Sequence, residues 1–404
     1  MPSFNKHKDI IMKKNLLGLI FICFITTISF GQKITFKLEN SIDTTAYLIK
    51  YYGKTLRYAD TAEVKNGTIT FDGSNHPSGI YKLYYRGKVY PDIILNGKDI
   101  VATADANDFE KTFKIKSSNE NKIFSEYTIY VTSKRKKAND LRERLKKTND
   151  EKEKDKLNEQ INVLSKEVLA KQISLIDEHK DKFISKLIKI TQEVDLPEAP
   201  ESMVDSIKPN WKYRYYRDHY FDNVDFKDDR LVNAPIIENK LNYFLDTYKR
   251  FGSDSLISFL KPVLGQLKTD GDMLRFMVHS ITAWSEKSKM MGMDKLFLYM
   301  GQTYYCPSNG KPLAFWMPQE NLTKMCEKIE KLERVVIGGQ AINLILPDST
   351  EEKWHSLNKM DNEYTVLYFW DPNCGHCKKT TPKLETLYQE KFKDRNVGIY
   401  AVAK

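Results

Sequence analysis

Apolar and polar residues alternate along the first part of the chain: Ile34, Phe36, Leu38; then Tyr47, Ile49, Tyr51; then Ile69, Phe71; then Ile93, Leu95. A period of two marks strands with one buried face. Asn66-Gly67 and Asn96-Gly97 supply the residue types that hairpin turns require. Residues 32–117 are therefore expected to form a small antiparallel β-sandwich or barrel. Its tyrosines (Tyr47, Tyr51, Tyr52, Tyr58, Tyr81, Tyr84, Tyr85, Tyr90) are expected to pave a half-exposed sheet, a binding face being the other reading.

Over residues 118–335 the period changes and a helical domain is predicted. Leu157, Ile161, Leu164 and Val168 recur at three and four, after a run from Lys134 to Lys156 in which most side chains are charged. That pattern predicts a solvated helical hairpin or short coiled coil. Pro197 and Pro200 then interrupt helix formation, since neither can continue the hydrogen-bond ladder. Trp211 to Asp222 opens an aromatic-rich helical region running to Glu330. Within it His219, Asp222, Asp225, Asp228 and Asp229 lack the spacing and central glycine of a calcium loop and read as a polar loop.

The last part of the chain carries the chemistry. Tyr364 to Trp370 is β-branched and aromatic and reads as a buried strand, broken by Asp371-Pro372-Asn373. Lys378 to Phe392 is helical, with Leu384, Leu387 and Tyr388 on one stripe. Cys374-Gly375-His376-Cys377 stands between them, so Cys374 is expected at a helix N-terminus. Two thiols at this spacing can share one disulfide and trade it with a substrate. Unsatisfied amides and the helix dipole stabilise a thiolate there, and the thiolate is the attacking species. A zinc site would need a second pair at suitable spacing and a different local setting. Cys306 and Cys326 are isolated in sequence. In an oxidising compartment they can pair as a structural disulfide; alternatively Cys326, on the stripe of Leu322, Met325, Ile329 and Leu332, is a small core residue.

The Cys374-Gly375-His376-Cys377 segment and its flanks resemble the thioredoxin superfamily, in its TlpA-like branch of envelope proteins. Trp370 stands four residues before Cys374, and Pro382 stands where thioredoxins carry the proline that kinks the active-site helix. Gly338 to Asp348 is similar to the first strand of the TlpA-like and peroxiredoxin-like branches. The β and helical regions resemble the N-terminal domain of unknown function and the helical middle domain of the same envelope family. The resemblance implies a multidomain chain with an α/β thioredoxin-like fold over residues 336–404. It makes Cys374 the nucleophile and Cys377 the resolving thiol, supported by Trp370, Gly375, His376 and Pro382. Such a fold continues beyond a strand like Asn396 to Ala403 into further strands, helices and a cis-proline, so an incomplete, truncated version is expected here.

Two departures qualify that likeness. Tyr368 takes the position of thioredoxin's buried proton-shuttling Asp, and Thr380 that of an acidic residue in some TlpA-like proteins, so no local proton acceptor is identified. The Gly375-His376 pair is the one found in protein disulfide isomerases, implying a potential of roughly −180 rather than −270 mV. A peroxiredoxin needs its cysteine after a Thr-x-x spacer, and Asp371, Pro372 and Asn373 do not supply that Thr.

Charge and the N-terminus place this chemistry. Lys13 and Lys14 precede the apolar run Leu16 to Ile28, and Ser29-Phe30-Gly31 offers small residues for cleavage, so residues 1–31 read as a secretory signal peptide. The run is shorter than a membrane span of about 20 residues, and Ile20-Phe21-Ile22 before Cys23 lacks the small residues of a lipoprotein box. An uncleaved signal is the one expected route to a membrane. A net charge of +10 is modest for 404 residues, and the basic residues are interspersed with acids, which leaves no nucleic-acid footprint. The expectation is a periplasmic, cell-envelope thiol-disulfide oxidoreductase that exchanges with protein thiols and disulfides and with an upstream redox partner. It requires no cofactor and no metal. The other function class is a non-catalytic envelope scaffold whose β and helical domains recognise a ligand.

Overall fold

The alternating segments fold as two sheets. In the computed structural model, which describes residues 32–404, one sheet has the order β4 (Thr68–Asp72), β1 (Lys33–Glu39), β8 (Ile100–Asp105), β9 (Lys114–Ile115). The other runs β3 (Thr55–Glu63), β2 (Thr45–Tyr52), β5 (Gly79–Tyr85), β6 (Lys88–Val89), with β7 (Ile93–Leu95) also paired to β5. The expected signal segment lies outside the described residues. Ile34, Phe36, Ile69 and Ile100 from one sheet and Ala46, Leu48, Leu83 and Ile93 from the other share one buried cluster, so the two sheets form a sandwich.

Four details differ from the sequence reading. β1 and β8 are parallel, Ile34 opposite Ile100, so the sandwich is not wholly antiparallel. β2 buries Ala46, Leu48 and Ile49 and leaves Tyr47 and Tyr51 half-exposed. The cause is a register shift against β3 between Leu48 and Ile49, a bulge that breaks the alternation. Asn66-Gly67 forms the expected two-residue turn, with positive φ at both residues and Lys65 and Thr68 exchanging backbone bonds at 3.0 and 2.9 Å, whereas Asn96-Gly97 passes the chain from one sheet to the other. Two further two-residue hairpins are Gly53-Lys54 and Arg86-Gly87, with positive φ at Gly53, Arg86 and Gly87. The tyrosines also divide: Tyr81, Tyr85 and Tyr90 are fully buried, while Tyr47, Tyr58 and Tyr84 contact one another on the outer face.

The middle of the chain is helical. α1 (Asn119–Lys147) and α2 (Glu151–Glu178) form a hairpin that reverses at Thr148 to Asp150, where the Asp150 carboxylate caps α2 by accepting from Lys152 N at 3.0 Å. α3 (Phe183–Thr191), α4 (Lys208–His219), α5 (Pro235–Tyr248), α6 (Gly252–Leu264) and α7 (Asp272–Lys287) follow, α4 starting only after Pro197 and Pro200. Tyr220, Phe221, Phe226, Phe244 and Tyr248 build their aromatic core. The acidic segment is taken up by protein partners. Lys186 Nζ donates to Asp225 at 2.9 Å and Asp228 at 2.7 Å, Arg230 donates to Asp228 at 2.8 and 2.6 Å, and Asp229 accepts from Met273 N at 2.8 Å. Burial by itself would raise the pKa of Asp228, but the bonds from Arg230 and Lys186 outweigh it and bring the carboxyl to about 2.

Two compact units account for the described residues. One runs to Trp284 and includes Leu313–Trp316; the other comprises Ser285–Pro312 and Met317–Lys404. In the second, α8 (Asp294–Met300) and α9 (Gln319–Glu333) meet around Phe297, Leu298 and Ile329. β10 (Ile345–Pro347) pairs antiparallel with β11 (Trp354–Ser356). β12 (Tyr364–Trp370), α10 (Gly375–Leu387) and β13 (Val397–Ala403) form a βαβ unit, the strands parallel from Tyr364 opposite Val397 to Trp370 opposite Ala403. The protein thus has an N-terminal β region, a helical middle and a short C-terminal α/β region. No helix of the described residues is long and apolar enough to cross a membrane.

Two readings of this last region are corrected. β12 is not a buried strand: Leu367 and Phe369 are 38% and 64% exposed, because among the described residues β13 is its one partner and α10 meets the opposite face, at Tyr368. Of the segment from Gly338 to Asp348 only β10 is a strand, and it joins β11 rather than the β12 sheet.

Candidate functional site

The polar break after β12 builds the site. Asp371 folds the turn, its carboxylate accepting from Asn373 N at 2.7 Å and its carbonyl from Cys374 N at 3.1 Å. Cys374 is left as the N-cap of α10 with extended backbone (φ −81°, ψ 121°), and its carbonyl accepts the first helical bond from Lys378 N at 3.0 Å. The helix therefore starts at Gly375, earlier than the expected Lys378, and takes Gly375, His376 and Cys377 as its first turn.

An N-cap side chain lies over the amides of the second and third helical residues. Here those amides belong to His376 and Cys377, and the N-cap residue carries a sulfur that makes no capping hydrogen bond of its own. The Cys377 amide, the Cys377 thiol and the His376 amide, in that order, hold the Cys374 thiol below the ordinary range, against weaker opposition from desolvation and the Asp371 charge. Both thiols are free and half-exposed. A side chain at Gly375 would meet nothing within 4 Å, so the surface immediately beside Cys374 is open.

Behind the cysteines, Cys377, Thr381, Leu384, Leu387 and Tyr388 line the half-buried face of the helix. The Tyr368 hydroxyl lies 3.0 Å from Thr381 Oγ1, which donates to the Cys377 carbonyl at 2.9 Å. Thr381 is the residue that sequence reasoning missed; its signal is the i+4 spacing from Cys377. Thr380 and His376 are exposed. Trp370 is half-buried, and its carbonyl accepts from Lys404 N at 3.0 Å. Pro382 is exposed inside the helix, where its missing N–H leaves the Lys378 carbonyl without its i+4 donor, yet the helix continues to Leu387 before a wider turn over Tyr388–Phe392.

Cys306 and Cys326 form a disulfide that ties the end of the turn after α8 to α9. It belongs to the helical part of the second unit, with Met325, Leu332 and Val336 packed alongside. Among the described residues no group of three or more His, Cys, Asp or Glu is arranged to hold a metal ion.

Comparison with known families divides the chain in three. Residues 32–124 match the domain of unknown function DUF4369, and residues 143–332 match the domain of unknown function DUF5106. No curated protein and no solved structure matches the chain. Residues 337–404, which contain the whole of the site, are similar to the AhpC/TSA family of the thioredoxin-like superfamily, and this likeness points to redox-related chemistry.

Proposed function

We propose that the protein is a thiol-disulfide oxidoreductase of the TlpA-like kind, exchanging the Cys374-Cys377 couple with protein thiols outside the cytoplasm. The observation that carries this reading is the N-cap position of Cys374, one turn before Cys377, where the first-turn amides and the second thiol lower its pKa. The Cys374 thiolate attacks a substrate disulfide, forming a mixed disulfide and releasing one substrate thiolate. Cys377 then gives up its proton and attacks Cys374 Sγ. The second substrate thiol leaves, so two electrons pass to the substrate and the Cys374-Cys377 pair is oxidised. The same steps in reverse oxidise a dithiol, and the redox partner sets the direction. The setting outside the cytoplasm rests on the order of basic, apolar and small residues in residues 1–31.

A thiol peroxidase is the nearest competing chemistry within the matched family. It is disfavoured by the vicinal pair and by Asp371 at the position of the required Thr. The decisive experiment compares single substitutions. Cys377→Ser should accumulate a mixed disulfide with substrate, because no resolving thiol remains, whereas Cys374→Ser should trap none. Equal trapping by both variants would defeat the assignment, and a Cys374-Cys377 pair with no defined two-electron potential would favour the scaffold reading.

A further inference from the structure

We infer that the concavity between α4 and the turn following α5 binds a small organic phosphate monoester, at a site independent of the thiol chemistry. The hollow measures about 510 Å³ and is lined by Asn210, Tyr213, Arg214, Arg217, Arg250 and Phe251. That volume lies within the roughly 300–1,000 Å³ of small-molecule sites. Arg214 and Arg217 stand three apart on α4 and so share a helix face. Arg250 enters from the opposite wall, in the short turn Lys249–Phe251.

Two of the three guanidinium groups are held in place by aromatic rings. Arg250 lies 5.0 Å from the Phe251 ring centre and 5.6 Å from that of Tyr213, and it donates to the Tyr213 hydroxyl at 3.2 Å. Arg217 sits 4.1 Å from the Phe259 ring centre and is paired with Asp218 at 2.7 Å. Among the described residues Arg214 has no hydrogen-bonding or acidic partner, and Arg250 has no acidic one. Carboxylates of the flanking segments pair with lysines: Asp246 with Lys249 at 2.8 Å, Glu198 with Lys212 at 3.1 Å and Asp205 with Lys208 at 2.6 Å.

The hollow therefore holds three guanidinium groups against one carboxylate, an excess of two positive charges that repel until an anion neutralises them. A phosphate monoester carries about −1.5 to −2 near neutral pH and matches that excess; a single carboxylate leaves one charge unmatched. Guanidinium forks suit phosphate oxygens in paired hydrogen bonds. Phe251, 45% exposed, and the ring of Tyr213 offer a flat apolar wall to the organic half of the ester.

The test titrates the full-length protein with hexyl phosphate and with inorganic phosphate by calorimetry at low ionic strength, and sediments it with phosphatidylcholine vesicles with and without phosphatidic acid. Hexyl phosphate should bind one to one and more tightly than inorganic phosphate, and affinity should fall about tenfold in Arg214→Gln and in Arg250→Gln. Both side chains are exposed, and circular dichroism of each variant should match the parent. Arg250→Lys, which keeps the charge and loses the fork, should bind at an intermediate level. No saturable binding of hexyl phosphate, equal binding by the variants, or association with phosphatidic acid vesicles alone would overturn the inference.

Discussion

The Tyr368 hydroxyl lies 3.0 Å from Thr381 Oγ1, and Thr381 donates its own proton to the Cys377 carbonyl at 2.9 Å. With that proton committed, Tyr368 is the donor to Thr381. This clamp from strand to helix ends on the backbone and on neither sulfur. Tyr368 therefore holds α10 in place without its phenol bonding to either thiol. Tyr368→Phe should cost about 0.5–1.5 kcal/mol in urea unfolding, the net worth of one hydrogen bond, and should leave the pH midpoint of Cys374 alkylation where it was. A midpoint displaced by a full unit would mean that the phenol does reach the thiol.

The direction of the Cys374 shift sets a second expectation. Its pKa is lowered in the folded chain, chiefly by the Cys377 amide and thiol, whereas an unfolded cysteine titrates near about 8.5. The stabilising contribution of the thiolate is thus present above about pH 8.5 and is lost as the pH falls through the folded value. Because the sulfur is half-exposed, rate is the better readout. In the reduced native protein, iodoacetamide alkylation of Cys374 should reach half its plateau below pH 8.5, and in urea near about 8.5. Coincident profiles would remove the electrostatic basis for naming Cys374 the nucleophile.

Much of this architecture is legible in local sequence, because strand and helix periods and the spacing of two cysteines involve only near neighbours. Ile34, Phe36 and Leu38 mark β1, and Leu157 to Val168 marks α2. The pairing of Ile34 with Ile100 is not legible, since it joins distant segments and depends on which sheet each strand enters. Tyr364 to Trp370 reads as buried because its composition is that of a buried strand, but composition does not report how many neighbours a strand has. Cys374 and Cys377 are found from the motif, whereas Thr381 gains its role only when Tyr368 approaches from another element. The arginine hollow is hidden for the same reason: Arg250 comes from a different part of the chain than Arg214 and Arg217.

The Cys306–Cys326 disulfide spans 20 residues of sequence and ties α9 to the turn after α8. Loop-closure entropy for a ring of this size is worth about 3 kcal/mol. Cys306 also packs against the cluster of Phe297, Leu298 and Ile329. The double variant Cys306→Ala/Cys326→Ala should therefore lose about 3 kcal/mol of stability in urea, while Cys374 keeps its alkylation rate. A loss well under 1 kcal/mol would show that the unfolded chain keeps this loop closed without the bond.

Asn121, 1% exposed in the first turn of α1, uses one amide to satisfy both backbone groups of a buried strand residue. Ile94 N donates to Asn121 Oδ1 at 2.7 Å, and Asn121 Nδ2 donates to the Ile94 carbonyl at 2.8 Å. Asn121→Ala would leave a buried donor and a buried acceptor unpaired, at about 1–3 kcal/mol each. Asn121→Asp is the sharper probe. Its carboxylate still accepts from Ile94 N but sets a second oxygen against the Ile94 carbonyl, where only a protonated acid can donate. Its folded pKa should therefore rise above the unfolded value of about 3.9. A raised pKa gives stability that is complete below the unfolded value and is lost as the pH rises through the folded one. Measured as the difference from the parent protein, so that other acids cancel, the Asp variant should be strongly destabilised at pH 7 and recover towards pH 4. A variant as stable as the parent at pH 7 would show that Asn121 and Ile94 do not form the reciprocal pair described.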